Sequence, residues 1–242
     1  MSTPFYLSTQ IGFAATTIIF FGFVLKVLKS GLAKSSITAD RQHKIFRNVI
    51  IGLLLWAVVL SGLSLAGFFA DFSAVPPRFV IIILVPLITL VWVLLISKTT
   101  KQLLTHIPPQ AIINLQVFRV FVEILLWMLF IQNLLPIQMT FEGRNFDIIA
   151  GITAPLVAYL AYTKNLLSKN MVIAWNFICL GLLLNIVLTA IFSMPTSFRY
   201  FMNEPSNTIV TDFPIVWLPG FLVPLAYGLH FLSIRQLMNQ KN

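Results

Sequence analysis

The chain has 242 residues, of which 58% are hydrophobic and only 10% charged, with a formal net charge of +9 and a mean hydropathy of +0.92. A soluble domain carries roughly 25% charged residues, so lipid is the solvent for most of this sequence and a soluble fold is excluded. The positive charge does not mark a nucleic-acid partner, because it collects in alternate loops.

Seven apolar stretches are long enough to cross a hydrocarbon core of ~30 Å, which takes ~20 helical residues. They lie near 8–29, 46–70, 78–98, 112–134, 146–164, 171–193 and 214–236. Backbone groups in lipid must be paired within the segment, which favours helices. The alternation expected of a membrane barrel strand is missing from FVIIILVPLITLVWVLLI, residues 79–96.

The first stretch is too long for a signal-peptide core and is read as a retained helix. The connection SGLAKSSITADRQHKIFRN follows, with Thr38 or Asp40 as a helix cap. The second stretch contains SGLSLAG (Ser61, Gly62, Ser64, Gly67), and the fifth carries Gly151, Ala154, Ala158 and Ala161; small residues allow close helix packing in lipid. Pro86, Pro155, Pro219 and Pro224 interrupt the third, fifth and seventh helices. Each either adjusts helix shape or breaks a helix to line a cavity. The long outer connection MPTSFRYFMNEPSNTIVTDFP reads first as an interfacial anchor, by its aromatic residues, and second as a lid. LVPL occurs at 84–87 and 222–225, but the flanking helices do not repeat at the same offset.

The basic residues decide the topology. Lys26, Lys29, Lys34, Arg41, Lys44, Arg47, Lys98, Lys101, Lys164, Lys169, Arg235 and Lys241 fall on one side of the alternating loops. Arg78, Arg144 and Arg199 fall on the other, with Asp71, Glu142, Asp147, Glu204 and Asp212. The positive-inside rule then places the N-terminus outside and the C-terminus in the cytoplasm. Anionic lipid headgroups are the expected partners of the basic face. The expected location is a bacterial inner membrane.

The fourth stretch holds the most costly residues. In QVFRVFVEILLWMLF, Gln116, Arg119, Glu123 and Trp127 fall on one helical stripe. An isolated charge at that depth costs ~3 kcal/mol on insertion scales. The spacing of Arg119 and Glu123, four apart, allows them to neutralise each other. The stripe therefore faces the bundle interior, either as a buried ion pair that sets helix register or as the lining of a polar cavity. Asn176 and Asn185 lie on opposite faces of the sixth stretch; Asn185, flanked by Gly181 and Thr189, reads as the interior one. Tyr227 and His230 share a face of the seventh. In FEGRNFD, Asn145 can cap the fifth helix with Asp147 in its first turn; alternatively Glu142, Arg144, Asn145 and Asp147 form an outer mouth.

Several chemistries are excluded. The seventh stretch has no lysine for a retinal Schiff base. His43, His106 and His230 are too scattered for a metal site or bis-histidine haem. The nucleotide, hydrolase and metalloprotease motifs are missing. A serine hydrolase using Ser61 or Ser64 would have His230 at the opposite membrane level. Cys179 has no partner cysteine and reads as packing. The expectation is a non-enzymatic seven-helix bundle without cofactor or metal. It is read as a small-solute or proton-linked transporter centred on the fourth helix. The alternative is a sensor, assembly factor or subunit of a larger membrane complex, with a partner protein or a homo-oligomer.

Overall fold

The computed structural model describes residues 4–74 and 77–239; Lys241 of the C-terminal tail lies outside them. Among the described residues all regular structure is helical. In chain order these are α1 (Pro4–Lys34), α2 (Ala39–Leu65), α3 (Arg78–Ile96), α4 (Lys98–Leu104), α5 (Pro109–Asn114), α6 (Phe118–Ile131), α7 (Ile148–Tyr162), α8 (Lys169–Phe192) and α9 (Val223–Asn239). A 3-10 turn, Leu115–Val117, joins α5 to α6, and a π-helical turn, Leu218–Leu222, leads into α9. Five helical stretches are long and apolar enough to cross a membrane: α1, α2, Pro109–Ile131, α8 and Leu218–Asn239. The bent pair α3–α4 makes a sixth if it counts as one span. That is the architecture of a multi-pass membrane protein.

Local chemistry explains the breaks. Ser97 Oγ accepts the Thr100 amide hydrogen at 3.2 Å, which caps α4, and the chain turns by 72° there. Arg235 of α9 donates to the carbonyls of Leu94 and Ser97 and so covers the end of α3. Pro224 cannot donate to the Gly220 carbonyl one turn earlier; Trp56 Nε1 of α2 donates to it instead, at 2.9 Å.

The bundle is packed unevenly. The best membrane-crossing window is 61% buried in Pro109–Ile131 and in Leu218–Asn239, but only 22% in α1 and 11% in α2. The helix α9 is the axis, with α3, α8 and α5 packed on it, while α7 lies on α5 and α6. At Gly151 a β-carbon would come within 2.9 Å of the Val120 amide nitrogen, so the α7 and α6 backbones approach as closely as only glycine permits.

Two connections fold inward. With 15 residues, α7 is about 22 Å long, short of a core of ~30 Å. In the segment before it Gln138, Thr140, Asn145 and Asp147 are all buried. The loop 194–214 divides: Phe198, Tyr200 and Met202 are exposed, as an interfacial aromatic segment would be, whereas Ile209, Val210 and Thr211 are buried. Its buried part closes over one end of the bundle. Gln10 and Ser64 donate to the Phe213 and Thr211 carbonyls, and Trp217 Nε1 donates to Ser61. At the tip, hydrogen bonds from Arg199 and the Ser206 amide hold the Glu204 carboxyl below its usual range.

Candidate functional site

Arg119 enters the bundle from the first turn of α6 and is 1% exposed. Its guanidinium grips Asp147, which immediately precedes α7. Nε donates to Oδ2 at 2.6 Å and NH2 donates to Oδ1. NH1 donates to His230 Nε2 on α9 at 2.8 Å. Because a guanidinium has donors only, His230 Nε2 must accept. The imidazole is then neutral with its hydrogen on Nδ1, and it donates to Asn176 Oδ1 at 2.8 Å. Asn176 Nδ2 donates in turn to Ser233 Oγ at 3.1 Å and to the Val172 carbonyl. The Cys179 carbonyl lies at 3.5 Å from Arg119 NH2. One guanidinium thus ties α6, α7, α8 and α9 together.

Glu123 is a separate limb. Arg119 does not pair with it, contrary to the four-residue spacing. Asp147, brought in by the inward-folded loop, presents two oxygens to the planar fork, which a neighbour on the same helix face does not match. Both Glu123 oxygens instead accept from Asn145 Nδ2, at 2.7 and 2.6 Å. Asn145 also donates to the Met139 carbonyl, and its Oδ1 accepts the Asp147 amide hydrogen at 3.1 Å. Glu123 is 1% exposed and, among the described residues, has no cation within ion-pair distance. It opens on a cavity of about 60 Å³ that Asp147 also lines. The other walls are apolar: Val122 and Leu126 of α6, Leu183 and Ile186 of α8, Val210 of the 194–214 loop and Pro219 of the π-helical turn. Such a space is large enough to admit water.

The remaining expected site residues divide. Gln116 is buried and donates to the Ala226 carbonyl at 3.2 Å, with Oε1 unpartnered among the described residues. Trp127 does not join the interior: it is half-buried, donates to Glu142 Oε1 at 2.7 Å and stacks on Phe141. Asn185 is also half-buried and donates to the Arg144 carbonyl in the connection before α7. The interior asparagine of α8 is Asn176, which shares the level of His230. Tyr227 is half-buried and outside the hydrogen-bond chain. The proposed outer mouth splits: Glu142 and Arg144 are exposed, while Asn145 and Asp147 belong to the centre. Ser233 had no signal beyond its place one turn from His230. Among the described residues, no group of three or more His, Cys, Asp or Glu could hold a metal ion.

A family model described as a domain of unknown function, DUF8737, matches residues 76–238, about two thirds of the chain. The chain belongs to the DUF8737 family. No curated protein and no solved structure matches it. The DUF8737 match takes in every residue of the polar cluster, and leaves α1 and α2 outside.

Proposed function

We propose that this DUF8737 protein is a non-enzymatic membrane carrier of proton-linked type, with Glu123 as the group that takes up and gives back the proton. Its reading includes seven spans, with α7 and the inward-folded segment before it together forming the fifth. The N-terminus is outside and the C-terminus cytoplasmic, in a bacterial inner membrane. The observation that carries it is a carboxyl group at the bundle centre, held by one neutral amide, beside a cavity of about 60 Å³. Intramembrane carboxyls of this kind mark proton and ion paths. With Glu123 protonated, Asp147 is the sole counter-ion of Arg119. With Glu123 ionised, a second carboxylate, one helical turn from Arg119 on α6, competes with Asp147 for the guanidinium. That competition couples proton loss to the contacts that bind α6 to α7.

A bare proton wire fits less well. The chain from Ser233 to Asp147 passes through Arg119, whose guanidinium does not deprotonate in proteins. The cavity volume also limits what this conformation takes to water-sized species. A larger solute requires the loop that carries Val210 to lift. The test is proton flux into proteoliposomes under an imposed potential, with a panel of small solutes supplied outside, read with a pH-sensitive dye. Wild type is expected to acidify the lumen faster than protein-free vesicles, and Glu123→Gln to lose at least about tenfold of that rate. Equal rates for the two proteins would sink the proposal.

The second reading is a sensor, assembly factor or subunit of a membrane complex. What favours it is the closure of the Arg119 network, which can serve as a brace alone. Purification in mild detergent with a stoichiometric partner, together with unchanged flux in Glu123→Gln, would select it.

A further inference from the structure

The first turns of α2 carry a groove of about 550 Å³, lined by Asp40, His43, Lys44, Phe46, Arg47, Ile50 and Ile51. Lys44 and Arg47 are exposed, and neither forms an ion pair among the described residues. His43 donates from Nδ1 to the Ala39 carbonyl at 2.9 Å, which leaves Nε2 free. Asp40 is the single acid at the rim, so the lysine and arginine leave an excess of positive charge. Below the groove the same face of α2 turns apolar. Positions 43, 47, 50, 54 and 58 follow one stripe at 100° per residue, with Leu54 61% and Val58 71% exposed. From 43 to 58 the stripe runs roughly 22 Å along the helix.

We infer that this face of α2 is a binding site for an anionic glycerophospholipid, its phosphate held by Lys44 and Arg47 and an acyl chain laid along Ile50, Leu54 and Val58. Two features of the structure select this occupant. The positive end meets a long bare apolar strip at the depth where a phospholipid has its own junction of phosphate and chain. A second copy of this chain would bring like charges together at that end. Guanidinium and ammonium groups are the usual phosphate partners. Basic residues near the membrane surface contribute about 1 kcal/mol each toward anionic lipid. The site is independent of the proton-carrier reading, since it lies on the outermost helix and far from Glu123 in the chain.

The test uses the full-length protein in nanodiscs of phosphatidylcholine containing phosphatidylglycerol. Retained lipid is counted by native mass spectrometry after detergent exchange. Wild type is expected to keep phosphatidylglycerol over phosphatidylcholine by about tenfold. The double variant Lys44→Gln/Arg47→Gln should lose that preference while keeping its circular dichroism and melting temperature in pure phosphatidylcholine. The basic surface of the other loops is controlled by Lys164→Gln/Lys169→Gln, which should leave the preference intact. Equal retention of both lipids by wild type, or an unchanged preference in the α2 variant, would overturn the inference. So would efficient disulfide formation by Leu54→Cys in the membrane, because a second copy would then occupy the strip.

Discussion

The helices α2 and α9 invert the rule that governs soluble proteins. The crossing window of α2 has a mean hydropathy of 2.2 and is 11% buried, while that of Leu218–Asn239 has 1.2 and is 61% buried. The more apolar helix is the more exposed one. In lipid there is no hydrophobic gain in hiding an aliphatic side chain from another hydrocarbon, so helices such as α2 face outward at no cost. What must be hidden is polar: His230, Ser233 and Gln236 of α9 are all buried. The same contrast separates the DUF8737 match from the two helices before it. The polar centre is confined to the matched part.

Substitutions can break or sharpen that contrast, and the largest effect is expected at its core. Arg119→Leu leaves Asp147 as an unpaired buried charge and should cost about 3–5 kcal/mol, read as thermal unfolding in detergent. Combining it with Asp147→Leu should recover much of that loss, since replacing a buried pair by apolar residues is often neutral. No recovery would mean that the pair also positions α7 through Asn145. Next comes His230→Leu, which strands one guanidinium hydrogen and Asn176 Oδ1. A cost of about 1–3 kcal/mol follows from an unsatisfied buried group. Gly151→Val pushes on the Val120 backbone and should cost about 1–3 kcal/mol by overpacking. Its melting temperature should fall without loss of helical signal.

Smaller effects test the shell. Ser168→Ala removes the hydroxyl that accepts the Met171 amide hydrogen at the start of α8. About 1 kcal/mol is expected for such a cap, seen as faster hydrogen exchange in the first turn of that helix. Leu54→Ala on the bare face of α2 should change stability by less than about 0.5 kcal/mol. A large effect there would mean that this face is covered by protein rather than lipid.

The helical class and most of the apolar stretches were legible because both rest on local quantities: run length, hydropathy and the need to pair the backbone in lipid. Five stretches, or six with the bent α3–α4 pair, are long and apolar enough to span, and the fifth forms only the 15-residue α7. The stripe of Gln116, Arg119 and Glu123 was legible for the same reason, since helical spacing puts them on one face and charge turns that face inward. The partners were not. Arg119 and Asp147 are 28 positions apart and His230 is 111 away, and no local pattern joins them. Asn176 rather than Asn185 is the interior asparagine because its side chain meets His230 and Ser233 of α9, which small neighbours along α8 do not reveal. In FEGRNFD, Asn145 and Asp147 are drawn inward by Glu123 and Arg119 of α6, while Glu142 and Arg144 stay exposed.

Composition and periodicity alone determined that this chain lives in lipid as helices and that two charges on the fourth apolar stretch turn inward, because those are properties of single segments in an apolar solvent. Only the tertiary structure decided that Asp147 takes Arg119, that Asn145 is left to hold Glu123, and that the connection before α7 folds inward to supply both. Which of two nearby carboxyls a guanidinium pairs with depends on the direction of approach, and direction is set by how separate segments pack.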